Sequence, residues 1–158
     1  MGGALSLKFA AEGFLTVLTT RKTANTEPLA AAIRDQGGNC MIVKLDLSSE
    51  ASIAGAFDTV RSQAGDPEVE VYNAGYLEGR DLPAGKELLE HIPIEIFDTA
   101  HHIANRGAFL VTKQALPWMR EQDRDSFVFS NNNKSLRGTK RNTGASFYYP
   151  RVMMRALA

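Results

Sequence analysis

The sequence predicts an α/β fold, a doubly wound parallel sheet with helices on both faces. Three observations carry that prediction. Short apolar, β-branched runs alternate with longer stretches whose apolar residues recur at helical spacing, the pattern of parallel βαβ units. The chain has 158 residues, 44% apolar and 23% charged, which suits one globular core in a single domain over residues 1–158 and excludes disordered or collagen-like chains. Polar segments follow the strands, where sheets of this kind build ligand sites.

The elements follow in chain order. Ala4 to Ala11 has helical apolar spacing and stops at Glu12-Gly13, glycine being a favoured residue just past a helix. Phe14 to Thr19 is short, apolar and β-branched, closed by Arg21-Lys22. Glu27 to Asp35 reads as a helix with Pro28 in its first turn, where a missing N–H costs nothing, and Gly37-Gly38 stops it. Met41 to Leu45 makes the next strand, ended by Asp46, and Ser49 to Gln63 a helix opened by Ser and Glu. Val69 to Tyr72 is a short strand, Pro93 to Met119 a long helical region and Phe127 to Ser130 another strand. Tyr76 to Leu82 and Asn131 to Gly144 are polar, Gly-containing and read as loops.

Eighteen basic side chains balance eighteen acidic ones, which removes a whole-chain electrostatic case for nucleic acid or an anionic membrane. The distribution is uneven, because residues 1–125 carry 12 basic and 18 acidic side chains and residues 126–158 carry six basic ones and no acid. Within that tail the run Lys134 to Arg141 reads as a solvated loop rather than a grip on a nucleic-acid backbone. His101 and His102 are adjacent, so on a helix they face different ways and cannot form an i, i+4 metal pair; with His91 remote, no metal site is expected. Cys40 is the one cysteine and sits in an apolar run, so no intramolecular disulfide forms and a reducing, cytoplasmic setting is expected. No apolar stretch approaches a membrane span and no secretory signal opens the chain.

Four segments fall at predicted strand ends: Thr19-Thr20-Arg21-Lys22, Asp46-Leu47, Asn73-Ala74-Gly75 and Ser130-Asn131-Asn132-Asn133. In order and spacing they resemble the short-chain dehydrogenase/reductase (SDR) family, from Gly2 to Ala158, with Asn73-Ala74-Gly75 as the most specific piece. The resemblance implies a Rossmann-like sheet and a nicotinamide-dinucleotide oxidoreductase acting on a carbonyl or hydroxyl of a small molecule. It also implies truncation: Met1-Gly2-Gly3 looks like the end of a Gly-rich turn, so the first strand, and the strands following a helix that begins near Tyr149, would be missing.

By the same resemblance Gly2 would stand at the pyrophosphate, where backbone N–H groups and a helix N-terminus attract an anion. Arg21 would read the adenosine 2′-phosphate, which a guanidinium pairs bidentately, favouring NADP over NAD. The alternative for Arg21 and Lys22 is a solvated strand end. Asp46 and Leu47 match an adenine-contacting pair, with capping of the following helix as the alternative for Asp46. Asn73, Ala74 and Gly75 complete the cofactor-binding set.

The family's catalytic set is Asn, Ser, Tyr and Lys, and each position differs here. Ala104 takes the place of the Asn, with Asn105 beside it; Asn132 stands where Ser belongs, Phe147 at the Tyr position and Arg151 at the Lys position. Phe147 cannot transfer a proton, and loss of a general acid costs roughly 10²- to 10⁴-fold in rate. Arg151 stays protonated and cannot imitate a pKa-tuned Lys. Tyr148 or Tyr149 could substitute only if the helix were rotated, since each lies about 100° per residue from Phe147. The chain looks closest to a divergent branch of the family with Phe in place of that Tyr.

The expected function is therefore an NADP(H)-dependent oxidoreductase of small molecules. Two alternatives stand beside it: a catalytically inactive dinucleotide-binding protein, and an oligomerising module using Ile94 to Met119, which carries Ile96, Ile103, Phe109, Leu110 and Leu116. A homo-oligomer is expected, without nucleic-acid or membrane partners. If the first strand is missing, the strands near Phe14 and Val69 lose a shared partner. They would then pair directly, accept a strand from another chain or leave an isolated chain aggregation-prone and weak in NADPH binding.

Overall fold

The computed structural model describes residues 1–76, 88–122 and 126–131. The chain divides into two compact units, Met1–Pro67 and Glu68–Ala158. The loops expected over 77–82 and 132–144, and the helix expected near Tyr149, lie outside the described residues.

The first unit runs α1 (Gly2–Ala11), β1 (Leu15–Thr20), α2 (Glu27–Asp35), β2 (Asn39–Lys44) and α3 (Glu50–Ala64). β1 and β2 pair in parallel, Leu15 opposite Asn39 through Thr20 opposite Lys44. Their shared register places Leu18 and Ile42 on one face. There Leu18 meets Ala10 of α1 and Ala30 and Ile33 of α2 in a buried cluster, flanked by Leu7, Leu29, Cys40 and Ile42. Val43, one residue out of phase with Ile42, faces the other side of the pleat. α3 packs against β2 and buries Ile53, Ala56 and Phe57.

Glycine ends the first two helices as the sequence predicts, with Gly13 at φ 92° and Gly37 at φ 80°, a region glycine enters without steric cost. Gly38 is needed for a different reason: a Cβ there would lie 3.0 Å from Ala10 Cβ and 3.0 Å from Ile33 Cγ2. Only a bare backbone lets β2 enter so close to the α1–α2 seam. β1 begins one residue later than predicted, where Leu15 first pairs with Asn39, and Phe14 lies edge to face against Phe9, ring centroids 5.4 Å apart. β2 begins at Asn39 rather than Met41, and Leu45 lies just past it with its N–H donating to Thr20 O at 2.8 Å.

The second unit runs β3 (Val69–Tyr72), α4 (Ile94–His101), a wide π turn over His102–Arg106, α5 (Gly107–Gln122) and β4 (Ser126–Phe129). β3 and β4 are parallel, Val69 opposite Ser126 through Tyr72 opposite Phe129. Glu70, Tyr72, Phe127 and Phe129 therefore share one face. The Tyr72 hydroxyl donates to Ile103 O in the π turn, tying that face to the helix. The long helix predicted over Pro93 to Met119 is present but interrupted by this turn, and it continues past Pro117 to Gln122. Of the apolar residues it carries, Leu110 is buried, while Phe109 is 53% and Leu116 37% exposed.

Among the described residues the strands form two two-stranded ladders, β1·β2 in the first unit and β3·β4 in the second. No helix among the described residues is long and apolar enough to cross a membrane.

Candidate functional site

The first group of predicted residues gathers at the carboxyl ends of β1 and β2. Thr20 is the last residue of β1 and Arg21 follows it. The Thr20 hydroxyl donates to Lys22 O at 3.1 Å and accepts from Lys22 N–H at 3.2 Å, closing a tight turn around Arg21. A 3₁₀ turn, Thr23–Asn25, then leads into α2.

Across the ladder, Asp46 follows β2. Its Oδ1 accepts from Ser48 N–H at 2.9 Å and from Ser48 Oγ–H at 2.6 Å, while its own N–H donates to Ser52 Oγ at 2.9 Å. The two Ser48 bonds, with the nearby charges of Arg21 and Lys44, hold the carboxyl below its ordinary value despite partial desolvation. Arg21 and Asp46 are thus electrostatic neighbours, yet they form no ion pair among the described residues. Neither the guanidinium nor Asp46 Oδ2 has a hydrogen-bond partner among the described residues. Capping of α3, the alternative role for Asp46, belongs to Ser49, whose side chain accepts from Ser52 N–H at 3.2 Å. Leu47 lies half-buried beside Asp46.

Gly2 is the first residue of α1, which has neither a side-chain cap nor an acid in its first turn. Among the described residues no side chain caps its leading N–H groups. The first unit thus carries cations at Arg21, Lys22 and Lys44 and an acceptor at Asp46 at or just past the carboxyl ends of its strands.

In the second unit Asn73, Ala74 and Gly75 follow β3, and Ser130 and Asn131 follow β4. Ser130 N–H donates to Tyr72 O at 3.0 Å, which fixes the two exits side by side. Ala104 and Asn105 both lie inside the π turn, Ala104 3% and Asn105 6% exposed. Asn105 Nδ2 is 2.9 Å from His101 Nδ1, and its Oδ1 has no partner among the described residues. His101 stacks on Phe97, and His102 Nδ1 lies 2.9 Å from Asp98 O, so neither imidazole belongs to a metal cluster among the described residues. On the face shared with Tyr72, desolvation pushes the Glu70 carboxyl up to about 7. Asn132, Phe147, Tyr148, Tyr149 and Arg151, the residues aligned with the catalytic set, lie outside the described residues.

Arg21 and Asp46 stand out in the sequence, whereas the roles of the residues that hold them, Thr20, Ser48 and Ser52, do not. The available signal was a hydroxyl two residues from a backbone group it can bond, a pattern of Ser and Thr turns. Lys44, too, reads in the sequence only as part of a strand.

A family model described as enoyl-(acyl carrier protein) reductase matches residues 1–148. The uncharacterized oxidoreductase YxbG of Bacillus subtilis is 30% identical over 121 residues, covering 77% of this chain and 42% of the relative. A short-chain dehydrogenase/reductase of Cryptosporiopsis sp. is 32% identical over 123 residues, covering 73% of this chain and 46% of the relative. The chain thus spans less than half the length of these relatives. A Serratia marcescens short-chain dehydrogenase/reductase variant superposes with a TM-score of 0.84 at 22% identity, over 99% of this chain and 60% of that one. A metagenomic short-chain oxidoreductase solved in complex with NADP gives 0.82 at 21% identity, over 99% of this chain and 69% of that one. The parallel ladders, the loops at their carboxyl ends and a match over most of the chain have one reading, and the chain belongs to the short-chain dehydrogenase/reductase family.

Proposed function

We propose that the chain is the dinucleotide-binding part of an NADP(H)-dependent oxidoreductase acting on a carbonyl or hydroxyl of a small molecule, with residues 1–158 forming one domain. The observation that carries this reading is the pairing of strand ends in the first unit, where the guanidinium of Arg21, in no ion pair among the described residues, is an electrostatic neighbour of an Asp46 carboxylate fixed by Ser48. A guanidinium suits the 2′-phosphate dianion, which NAD lacks, and Asp46 offers an acceptor to an amino group on the base. Gly2, Leu47, Asn73, Ala74 and Gly75 join Arg21 and Asp46 as cofactor contacts. The NADP bound to a structural relative supports the choice of cofactor.

The bound dinucleotide supplies or accepts hydride. The chain's own groups would orient the carbonyl and handle its proton, and we assign these tasks to Asn132, to Tyr148 or Tyr149, and to Arg151. Arg151 supplies fixed positive charge rather than a titrating amine. The exposed Phe109 and Leu116 of α5 support self-association through that helix. The test is oxidation of NADPH with a panel of aldehydes and ketones. Turnover that falls when Tyr148 and Tyr149 are both changed to Phe supports the reading. NADPH binding with no turnover on any substrate overturns the enzyme and leaves a binding protein. Sedimentation checks the assembly: a Phe109→Asp, Leu116→Asp protein should be monomeric at micromolar concentration where the parent is not.

A further inference from the structure

The turn around Arg21 is built differently from an ordinary strand exit. Thr20 is held twice. Its carbonyl accepts from Leu45 N–H at 2.8 Å, continuing the ladder to the residue before Asp46. Its hydroxyl reaches forward and bonds both polar groups of Lys22, O at 3.1 Å and N–H at 3.2 Å. Lys22 O also accepts from Asn25 N–H at 3.1 Å, so the far side of the turn is anchored in the 3₁₀ turn before α2. Arg21 is therefore flanked by two fixed peptide units, one set by the sheet and one by the Thr20 hydroxyl. Thr20 takes no part in the buried cluster of the first unit, so its hydroxyl serves the turn rather than the core.

We propose that Thr20 is a positioning residue for dinucleotide choice: its hydroxyl clamps Lys22 and thereby holds the Arg21 guanidinium at the mouth of β1, beside Asp46. The proposal rests on the reading that Arg21 takes the 2′-phosphate. A long side chain held at its root loses less freedom when it closes on a phosphate, and a guanidinium gains most when its fork is aimed in advance. Without the clamp Arg21 keeps its charge and loses its aim. The loss should fall on NADPH and spare NADH.

Valine has the shape and strand preference of threonine without the hydroxyl, so Thr20→Val removes the clamp alone. The experiment measures Kd for NADPH and NADH in the whole chain and in Thr20→Val, Thr20→Ser, Arg21→Ala and the double variant Thr20→Val, Arg21→Ala. Arg21→Ala should lower the preference for NADPH by about tenfold or more, and Thr20→Val by about three- to tenfold. Thr20→Ser, which keeps the Oγ, should retain the preference. In the Arg21→Ala background Thr20→Val should change nothing further. Amide hydrogen exchange gives a readout that needs no cofactor: the Lys22 amide should be protected in the parent and in Thr20→Ser, and exposed in Thr20→Val.

If Arg21→Ala abolishes the preference and Thr20→Val leaves it intact, the proposal is overturned while the reading of Arg21 stands. If Arg21→Ala leaves the preference unchanged, that reading fails and the role of Thr20 falls with it. Equal weakening of both dinucleotides by Thr20→Val would make the residue merely structural, and so overturn the proposal. An unprotected Lys22 amide in the parent overturns it even if Thr20→Val does not fold.

Discussion

At the ends of β1 and β2, the side-chain hydrogen bonds of Thr20 and Asp46 run to partners at most six residues away, Thr20 to Lys22, Asp46 to Ser48 and Asp46 to Ser52. In the second unit the arrangement is reversed. Tyr72 is tied to Ile103 across 31 positions of chain, Glu70 is desolvated, and Asn105 Oδ1 and Thr112 Oγ1 are buried without partners among the described residues. The difference teaches how the two regions hold charge. Short hydroxyl turns can present Arg21 and Asp46 in water, where charge is cheap. In the second unit a polar atom out of water must find its partner through the fold, and where it does not, its desolvation counts against stability.

The largest effect expected from this contrast is in the apolar packing beneath the first region. Ile33 is 1% exposed at the centre of the α1–α2–β1 cluster, so Ile33→Ala should cost about 2–5 kcal/mol in urea unfolding, from lost burial and the cavity left behind. A loss under about 1 kcal/mol would mean that this cluster does not support the charged turns above it.

The second region should respond to pH. Glu70 in the folded chain titrates at about 7 against an ordinary 4.5, so the folded state binds the proton more tightly than the unfolded state. The stability tied to it is fully present below pH 4.5 and drains away as pH rises to about 7. The loss is about 2–3 kcal/mol once partial solvent screening is allowed for. Glu70→Gln should flatten the dependence across that window; an unchanged pH profile would show that the carboxyl is solvated.

The smallest pair of effects has opposite signs. Ser49→Ala removes the hydroxyl that caps α3 and should cost about 1 kcal/mol. Thr112→Val removes a buried hydroxyl with no partner among the described residues, and should be neutral or stabilising by about 1 kcal/mol. Thermal unfolding of the two variants side by side measures the contrast directly, and destabilisation of similar size by both would erase it.

The parts of this fold that show in the sequence are those that local chemistry dictates. Pro28 and Gly37 bound α2, Ser49 opens α3, and β3 occupies the predicted residues Val69 to Tyr72. Phe14 misleads because its strand preference marks it for β1, whereas the ladder begins at Leu15 and the Phe14 ring packs against Phe9 of α1. The π turn is invisible because Ile96, Ile103 and Leu110 are spaced seven apart straight through it, as on an unbroken helix. Arg21 and Asp46 can be placed at strand ends from their positions alone. The roles of Thr20, Ser48 and Ser52 cannot, since a hydroxyl bond depends on the dihedral angles of the turn it closes, and the same Ser or Thr in an extended chain would face water. The residues assigned to proton handling, Asn132, Tyr148, Tyr149 and Arg151, were placed from the family pattern alone.

The hydrogen bond from Tyr72 to Ile103 has a consequence for how the chain reaches this state. A π turn bonds its backbone at i to i+5, a rare spacing that a contact from outside the helix to one of its carbonyls can favour. The Tyr72 hydroxyl supplies that hold from a strand made much earlier in the chain. The turn should therefore form late in folding, after β3 and the helix have met. Closing so long a loop costs entropy that grows only with the logarithm of its length, about 0.6 kcal/mol for each doubling. Residues inserted between Tyr72 and α4 should slow the appearance of the turn little, whereas Tyr72→Phe, which keeps the ring and removes the hold, should let the helix anneal to a regular one and rotate every residue beyond it.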